Sequence, residues 1–284
     1  MHKPLRFKLP ALLLIAALVF AAFGGAAAVR TAAVPEQTVR LPILMYHSVC
    51  VNDRVRSEYV LPPERFRADM EYLKAHGYTT VFLAEARDYV NGAGPLPEKP
   101  VVVTLDDGFL NSLTEVLPVL EALDMKAEIN VVGEFCLREE TARYRSPAYS
   151  YLSPSELCAL RDSGRFEIGS HTFALHSLRG RRGCAKTEGE SAAAYEETLR
   201  EDLRSMRELL LKPCGIETSV FAYPFGAYGK ETEEILKRAG FDILLTCSET
   251  VNELYPGAPL TSLGRINRPA SAETAAFMAN AGIR

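Results

Sequence analysis

The sequence predicts an α/β fold on a parallel sheet, either a barrel or an open sheet. Three observations predict it. Short apolar runs alternate with amphipathic stretches from residue 41 onward, the pattern of repeated β-α units. Residues 101–105 are almost wholly apolar and stop on Asp106-Asp107-Gly108, as expected of a strand covered on both faces that surfaces at its C-terminal end. Residues 166–169 end in the same way on Ser170-His171, with His176 close behind. In β/α folds the active site is assembled at those strand ends.

Each element follows from its own residues. Residues 29–40, polar and with one proline, read as a linker, and residues 41–284 as one domain. A strand is expected at 42–46. Residues 62–76 place Phe66, Met70 and Leu73 on one stripe, so a helix is expected there, ended by Gly77. A strand at 79–83 and a short helix at 84–90 follow. The Gly- and Pro-rich stretch 92–100 leads into the Asp-Asp strand. Residues 112–123 read as helix, 127–132 as strand, and 133–152 as an irregular insertion. Ser153-Pro154-Ser155-Glu156 is a helix start, with Ser153 as cap, Pro154 in the first turn and Glu156 reaching back. Past the histidines come a helix at 192–211, a strand at 220–222 and a helix at 231–239 ended by Gly240. Strands at 242–245 and 263–266 and a helix at 272–278 complete the chain.

The chain has 284 residues, 48% apolar and 24% charged, an ordinary globular composition that fits one large domain. Residues 1–28 carry Lys3, Arg6 and Lys8, then an apolar stretch and a run of small residues. That is the layout of a secretory signal, or of an uncleaved membrane anchor over residues 9–29. Either implies export, as a secreted protein or on the outer face of the cytoplasmic membrane. Removing those three cations takes the net charge from −4 to −7. An acidic exported domain argues against nucleic-acid binding. The six cysteines are scattered, with no CxxC pair, which argues against a cysteine zinc site and leaves disulfide pairing open. The basic group Arg179, Arg181, Arg182 and Lys186 reads as a solvated loop.

Two adjacent carboxylates repel each other, and a cation is the usual compensation. The competing account of Asp106-Asp107 is a strand-to-helix turn capped by one Asp, with the helix starting near Phe109. His171 and His176 favour the cation, because imidazole and carboxylate together suit a borderline divalent metal such as zinc. Their spacing of five would turn the rings about 140° apart on a helix, so the pair belongs on a loop. Two histidines and a carboxylate also suit Fe(II) oxygenases, but the α/β alternation argues against that class.

Thr104-Leu105-Asp106-Asp107-Gly108, Ser170-His171-Thr172 with His176, and Phe221-Ala222-Tyr223-Pro224-Phe225-Gly226 resemble, in order and spacing, the three motifs of the polysaccharide deacetylase family of NodB-type carbohydrate esterases. The stretch 41–49, with Met45-Tyr46-His47, resembles the entry strand of the branch that deacetylates poly-N-acetylglucosamine, as does the histidine spacing. The resemblance covers most of residues 41–270 and implies a distorted (β/α) barrel of about seven strands. It further implies a metal-dependent hydrolase that removes N-acetyl groups from a cell-wall or extracellular N-acetylglucosamine polysaccharide. One divalent ion, zinc, would be held by Asp107, His171 and His176, with Asp106 as base and His47 as acid. In the family, backbone N–H from the third motif helps hold the oxyanion. Tyr223 and Phe225 are the residues assigned to substrate and oxyanion here.

Departures from the pattern matter. Ala222 stands where the third motif usually carries an Arg, the chain has no Trp, and no His follows His176. They leave open an O-acetyl esterase and a non-catalytic glycan-binding protein on the same fold. Arg265 and Arg268 are expected to pair with acids near the site, and His76 to sit at a helix C-terminus in a structural role. Phe109, Phe173 and Phe225 are candidate sugar-stacking faces.

Overall fold

The computed structural model describes residues 38–51 and 57–284. The expected signal or anchor, residues 1–28, and most of the linker lie outside them. No helix among the described residues is long and apolar enough to cross a membrane.

The strands are β1 (Val39–Leu41), β2 (Ile43–Tyr46), β3 (Ser48–Val49), β4 (Val60–Leu61), β5 (Thr79–Thr80), β6 (Pro100–Asp107), β7 (Ala127–Val131), β8 (Phe166–Ser170), β9 (Val220–Ala222), β10 (Ile243–Leu245), β11 (Asn252–Leu254) and β12 (Ile266–Asn267). The main sheet runs β10-β9-β8-β7-β6-β2-β12, with β5 also beside β6. Every pairing in it is parallel. The sheet curls into a distorted (β/α) barrel of seven strands. Residues 263–267 cross between its edges, because Leu263 pairs with Leu245 of β10 while Ile266 pairs with Leu44 of β2.

Side chains alternate across each strand. Leu44, Val101, Val103, Leu105 and Ile129 pack outward in the large core beneath the helices. Ile43, Val102, Val220, Ile243 and Leu245 fill a second core on the inner side. The same parity turns Asp106, Glu128, Asn130, Glu167 and His171 inward, so the barrel interior is apolar on one wall and polar on another.

Local chemistry explains the helices. In helix Pro63–Ala75, Phe66, Met70 and Leu73 are fully buried. At helix Pro154–Asp162 the Glu156 carboxylate accepts from the Ser153 N–H at 2.7 Å and from its hydroxyl at 2.8 Å, the capping box the sequence predicts. Residues 112–123 start as a wide π turn, Ser112–Val116, before helix Leu117–Leu123. Pro118 has no N–H for the regular ladder at that point. The expected insertion at 133–152 contains a helix, Gly133–Glu140. Only Gly133 and Cys136 of it are buried, so it lacks the broad apolar stripe that marks a helix. The strand expected at 79–83 is cut to two residues, because Leu83 already opens helix Leu83–Val90. A disulfide joins Cys158 to Cys214, their Cα atoms 5.2 Å apart. It fastens helix Pro154–Asp162 to the end of helix Ala192–Cys214.

Candidate active site

The site forms where β6 and β8 end beside each other across β7. Asp107 has φ +75° and Gly108 φ +81°, so the chain leaves the strand through a left-handed turn instead of capping a helix near Phe109. Asp tolerates that conformation. Gly108 is also required by space, since a Cβ there would lie 3.1 Å from Val131 Cγ1. Thr172 and Phe225 also have positive φ. Of the four such non-glycine residues described, Asp107 and Phe225 line one cleft and Thr172 directly follows His171, which also lines it; strain of this kind concentrates at functional sites.

Asp107, His171 and His176 are brought together, their ligand atoms all within 4.8 Å of one another. Asp107 Oδ1 lies 3.3 Å from His176 Nε2 and 3.8 Å from His171 Nε2. His171 Nδ1 is 2.8 Å from the Ala222 carbonyl, an acceptor, so Nδ1 carries the proton and Nε2 presents its lone pair. Burial pushes His171 down to about 4 and lowers His176 as well. Both rings are therefore neutral at pH 7, the form that binds metal. Asp107 Oδ1 is buried with no hydrogen-bond partner among the described residues. Two neutral imidazoles and an orphaned carboxylate oxygen facing one point fit a divalent cation of the zinc type.

Asp106 is held differently. Its Oδ1 accepts from Arg265 Nη1 at 2.8 Å and from Asn130 Nδ2 at 2.9 Å, and its Oδ2 from Arg265 Nη2 at 2.8 Å. Burial alone, the largest single effect, would raise its pKa, but the Arg265 guanidinium, with smaller contributions from His171 and His47, holds the carboxyl well below the usual carboxylate range. Asp107, next in the chain, is pushed up to about 6 by burial, with the Asp106 charge adding to it. Ala222 thus leaves no uncompensated acid: residues 263–267, in crossing between the barrel's edges, deliver Arg265 to Asp106.

The histidine loop is pinned from outside. Asp202, on helix Ala192–Cys214, accepts from the Phe173 and Ala174 N–H groups at 2.8 and 2.7 Å. Thr172 Oγ1 accepts from Leu175 N–H at 3.2 Å.

His47 follows β2, which pairs with β6, and shares with the three clustered residues a cavity of about 690 Å³. Its ring packs on Tyr59 at 4.7 Å. Phe109 and Phe225 line the same cavity, with Tyr59, Tyr151 and Arg182. Phe225 lies 4.5 Å from the His176 ring, centroid to centroid. Two expectations are corrected. Tyr223 does not reach the cleft: its N–H donates to the Leu245 carbonyl at 3.0 Å, and its ring packs with Phe221 and Tyr228. The oxyanion assignment to Tyr223 therefore fails. Phe173 also turns away, to pack against the large outer core. Of the two arginines, Arg268 pairs with Asp69, outside the site. His76 ends helix Pro63–Ala75 and stacks on Tyr72.

Asn130 and Asp202 went unread in the sequence. Asn130 left a trace, since a strand buried throughout carries polar side chains at 128 and 130. Asp202 left none, being one acid in a charged helix.

The polysaccharide deacetylase family model matches residues 93–244, more than half of the chain, and the chain belongs to that family. Among its relatives, YxkH of Bacillus subtilis (strain 168) is 26% identical over 211 residues, 74% of this chain and 66% of that one. The poly-beta-1,6-N-acetyl-D-glucosamine N-deacetylase of Escherichia coli (strain K12) is 26% identical over 231 residues, 74% of this chain but 34% of that one. The chain thus spans two thirds or less of these relatives. Among solved structures, IcaB from Ammonifex degensii superposes with a TM-score of 0.68 at 27% identity, over 86% of this chain and 96% of that one.

Proposed function

We propose that the domain is a metal-dependent N-deacetylase of an N-acetylglucosamine-containing cell-wall or extracellular polysaccharide, with zinc as the metal. One observation carries this reading: Asp107, His171 and His176 converge in a 690 Å³ cavity beside an ionised Asp106. Family membership and the Escherichia coli relative's substrate support the choice of glycan.

The reaction consumes water and an acetamide and yields acetate and an amine. When bound by Asp107, His171 and His176, the metal supplies Lewis acidity to the acetamide carbonyl and to the attacking water. Asp106, kept ionised by Arg265, takes the proton that the water loses. His47, at the end of the neighbouring strand β2, gives a proton to the departing nitrogen. Phe109 and Phe225 present ring faces to the sugar. Arg265 at Asp106 fills the gap left by Ala222, one of the departures that left a non-catalytic binding protein open.

Residues 1–28 as a cleaved signal, or residues 9–29 as a membrane anchor, would carry the domain out of the cytoplasm. The Cys158–Cys214 disulfide supports this, since such bonds persist in oxidising compartments.

The test is acetate release from chito-oligosaccharides, peptidoglycan, poly-N-acetylglucosamine and an O-acetylated glycan, with and without added metal. Release from an N-acetylated glycan that depends on metal is expected. Release confined to the O-acetylated glycan would make it an esterase, and none at all a binding protein.

A further inference from the structure

Below Asp106 the barrel interior holds an acid that the proposed reaction does not use. β7 is buried along its length, yet turns Glu128 and Asn130 inward. Glu128 stands opposite Glu167 of β8 and Thr104 of β6, and Asn130 opposite Gly169 and Asp106. Asn130 Nδ2 donates to Asp106, so its Oδ1 faces the other way. A Cβ on Gly169 would lie 2.2 Å from that Oδ1 and 2.7 Å from Glu128 Oε1. The two oxygens are therefore no more than 4.9 Å apart, the sum of those distances.

All of these atoms are acceptors. Among the described residues, Asn130 Oδ1 and both Glu128 oxygens have no hydrogen-bond partner. The neighbouring Thr104 hydroxyl donates instead to the Leu44 carbonyl at 2.9 Å. Of the charged groups nearby, Glu85 and Arg87 of helix Leu83–Val90 act on Glu167, and Arg87, Arg161 and Arg207 line one cavity with both glutamates without donating a hydrogen bond to Glu128. An ionised Glu128 would be a buried anion without a donor, beside a second carboxylate and an amide oxygen, which is strongly unfavourable. One proton on Glu128 removes the conflict, because a carboxylic acid has an O–H to give.

We propose that Glu128 is a neutral carboxylic acid and a positioning residue, which through Asn130 holds Asp106 in place. Its single O–H lies between two acceptors, Asn130 Oδ1 and the Glu167 carboxylate, and donates to Asn130 Oδ1. By engaging Oδ1 it fixes the amide so that Nδ2, and not Oδ1, faces Asp106. Burial raises the Glu128 carboxyl well above its ordinary range, and the Glu167 charge raises it further. The positioning role rests on the reading of Asp106 as the base; the protonation state does not.

Infrared difference spectra of the purified protein and Glu128→Gln test the proton directly. The intact protein at neutral pH should show the C=O stretch of a protonated carboxylic acid, missing from the variant. Kinetics test the positioning. Glu128→Gln keeps a donor for Asn130 and should retain turnover within about threefold, whereas Glu128→Leu should lose about 10–100-fold in kcat, the usual worth of such a supporting partner. KM and metal content should not move. Asn130→Ala should lose as much, and the double variant no more than Asn130→Ala alone. A spectrum without the acid band, or a cation found with both glutamates ionised, would overturn the proposal. So would Glu128→Gln failing as badly as Glu128→Leu. Asp106→Asn serves as the control: if it stays active, the base reading falls while the infrared result still decides the proton.

Discussion

Arg265 and Arg268 stand three residues apart, each buried, and each pairs with a buried aspartate, yet they do different work. Arg268 donates to Asp69 from Nε at 2.7 Å and Nη2 at 3.2 Å, and from Nη1 to the carbonyls of Pro269 and Ala272. Asp69 accepts in addition from Tyr46 and Thr274 hydroxyls. That pair is closed, and it ties helix Pro63–Ala75 to the C-terminal segment. The Arg265–Asp106 pair is just as well formed, but Asp107 Oδ1 beside it has no hydrogen-bond partner among the described residues, and two imidazole lone pairs point to the same place. A buried ion pair alone marks architecture. An ion pair next to unsatisfied groups in a cavity marks chemistry.

Matched substitutions should separate the two most widely. Asp106→Asn should lower acetate release by about 10²–10⁴, the usual worth of a general base, with metal content unchanged. Asp69→Asn should leave turnover per folded molecule unaltered. Equal losses in the two variants would erase the distinction.

Stability should divide the other way. Arg268→Ala leaves Asp69 buried and unpaired, which costs about 3–5 kcal/mol. Urea denaturation should show this, with activity of the folded fraction intact.

His47 probes the acid side of the site. His47→Ala should reduce turnover by about 10², at the lower end for acid–base catalysis, with metal retained. A variant of near-full activity would take the acid role from His47.

The smallest effect concerns pH. Metal binding needs the Asp107 carboxylate, and burial puts its pKa at about 6 in the metal-free protein. His171, pushed down to about 4, does not compete with a proton of its own in that window. Zinc affinity measured by titration should therefore fall on acidification below about pH 6, by about tenfold or more per unit once Asp107 is protonated, with His176 adding to the loss as it takes up its own proton. Affinity that rises on acidification would contradict the ligand set.

The sequence made the strand ends legible and the barrel interior hard to read. Asp106, Asp107, His171 and His176 stood out because apolar runs stop on them, and a buried strand has little reason to end on charge. Glu128 and Asn130 sit inside a buried strand, where their polarity reads as interruption until Glu167, Gly169 and Asp106 are set opposite. Arg265 and Arg268 look alike in sequence; what parts them is the crossing of residues 263–267 between β10 and β2, a contact of distant residues. Tyr223 misled for a similar reason. Its motif borders the cleft, but its N–H belongs to the sheet, through the Leu245 carbonyl. Cys158 and Cys214, 56 residues apart, could not be paired from spacing, since the packing of two helices brings them together.

The proposed deacetylase activity stands on a metal held by Asp107, His171 and His176. The most direct measurement strips the protein of metal, restores zinc in steps, and records bound metal and acetate released from poly-N-acetylglucosamine on the same samples. Acetate release should be absent without metal and rise in proportion to bound zinc up to one ion per chain, while His171→Ala and His176→Ala neither hold zinc nor release acetate. Full release from the metal-free protein, or zinc bound equally well by both histidine variants, would contradict the claim.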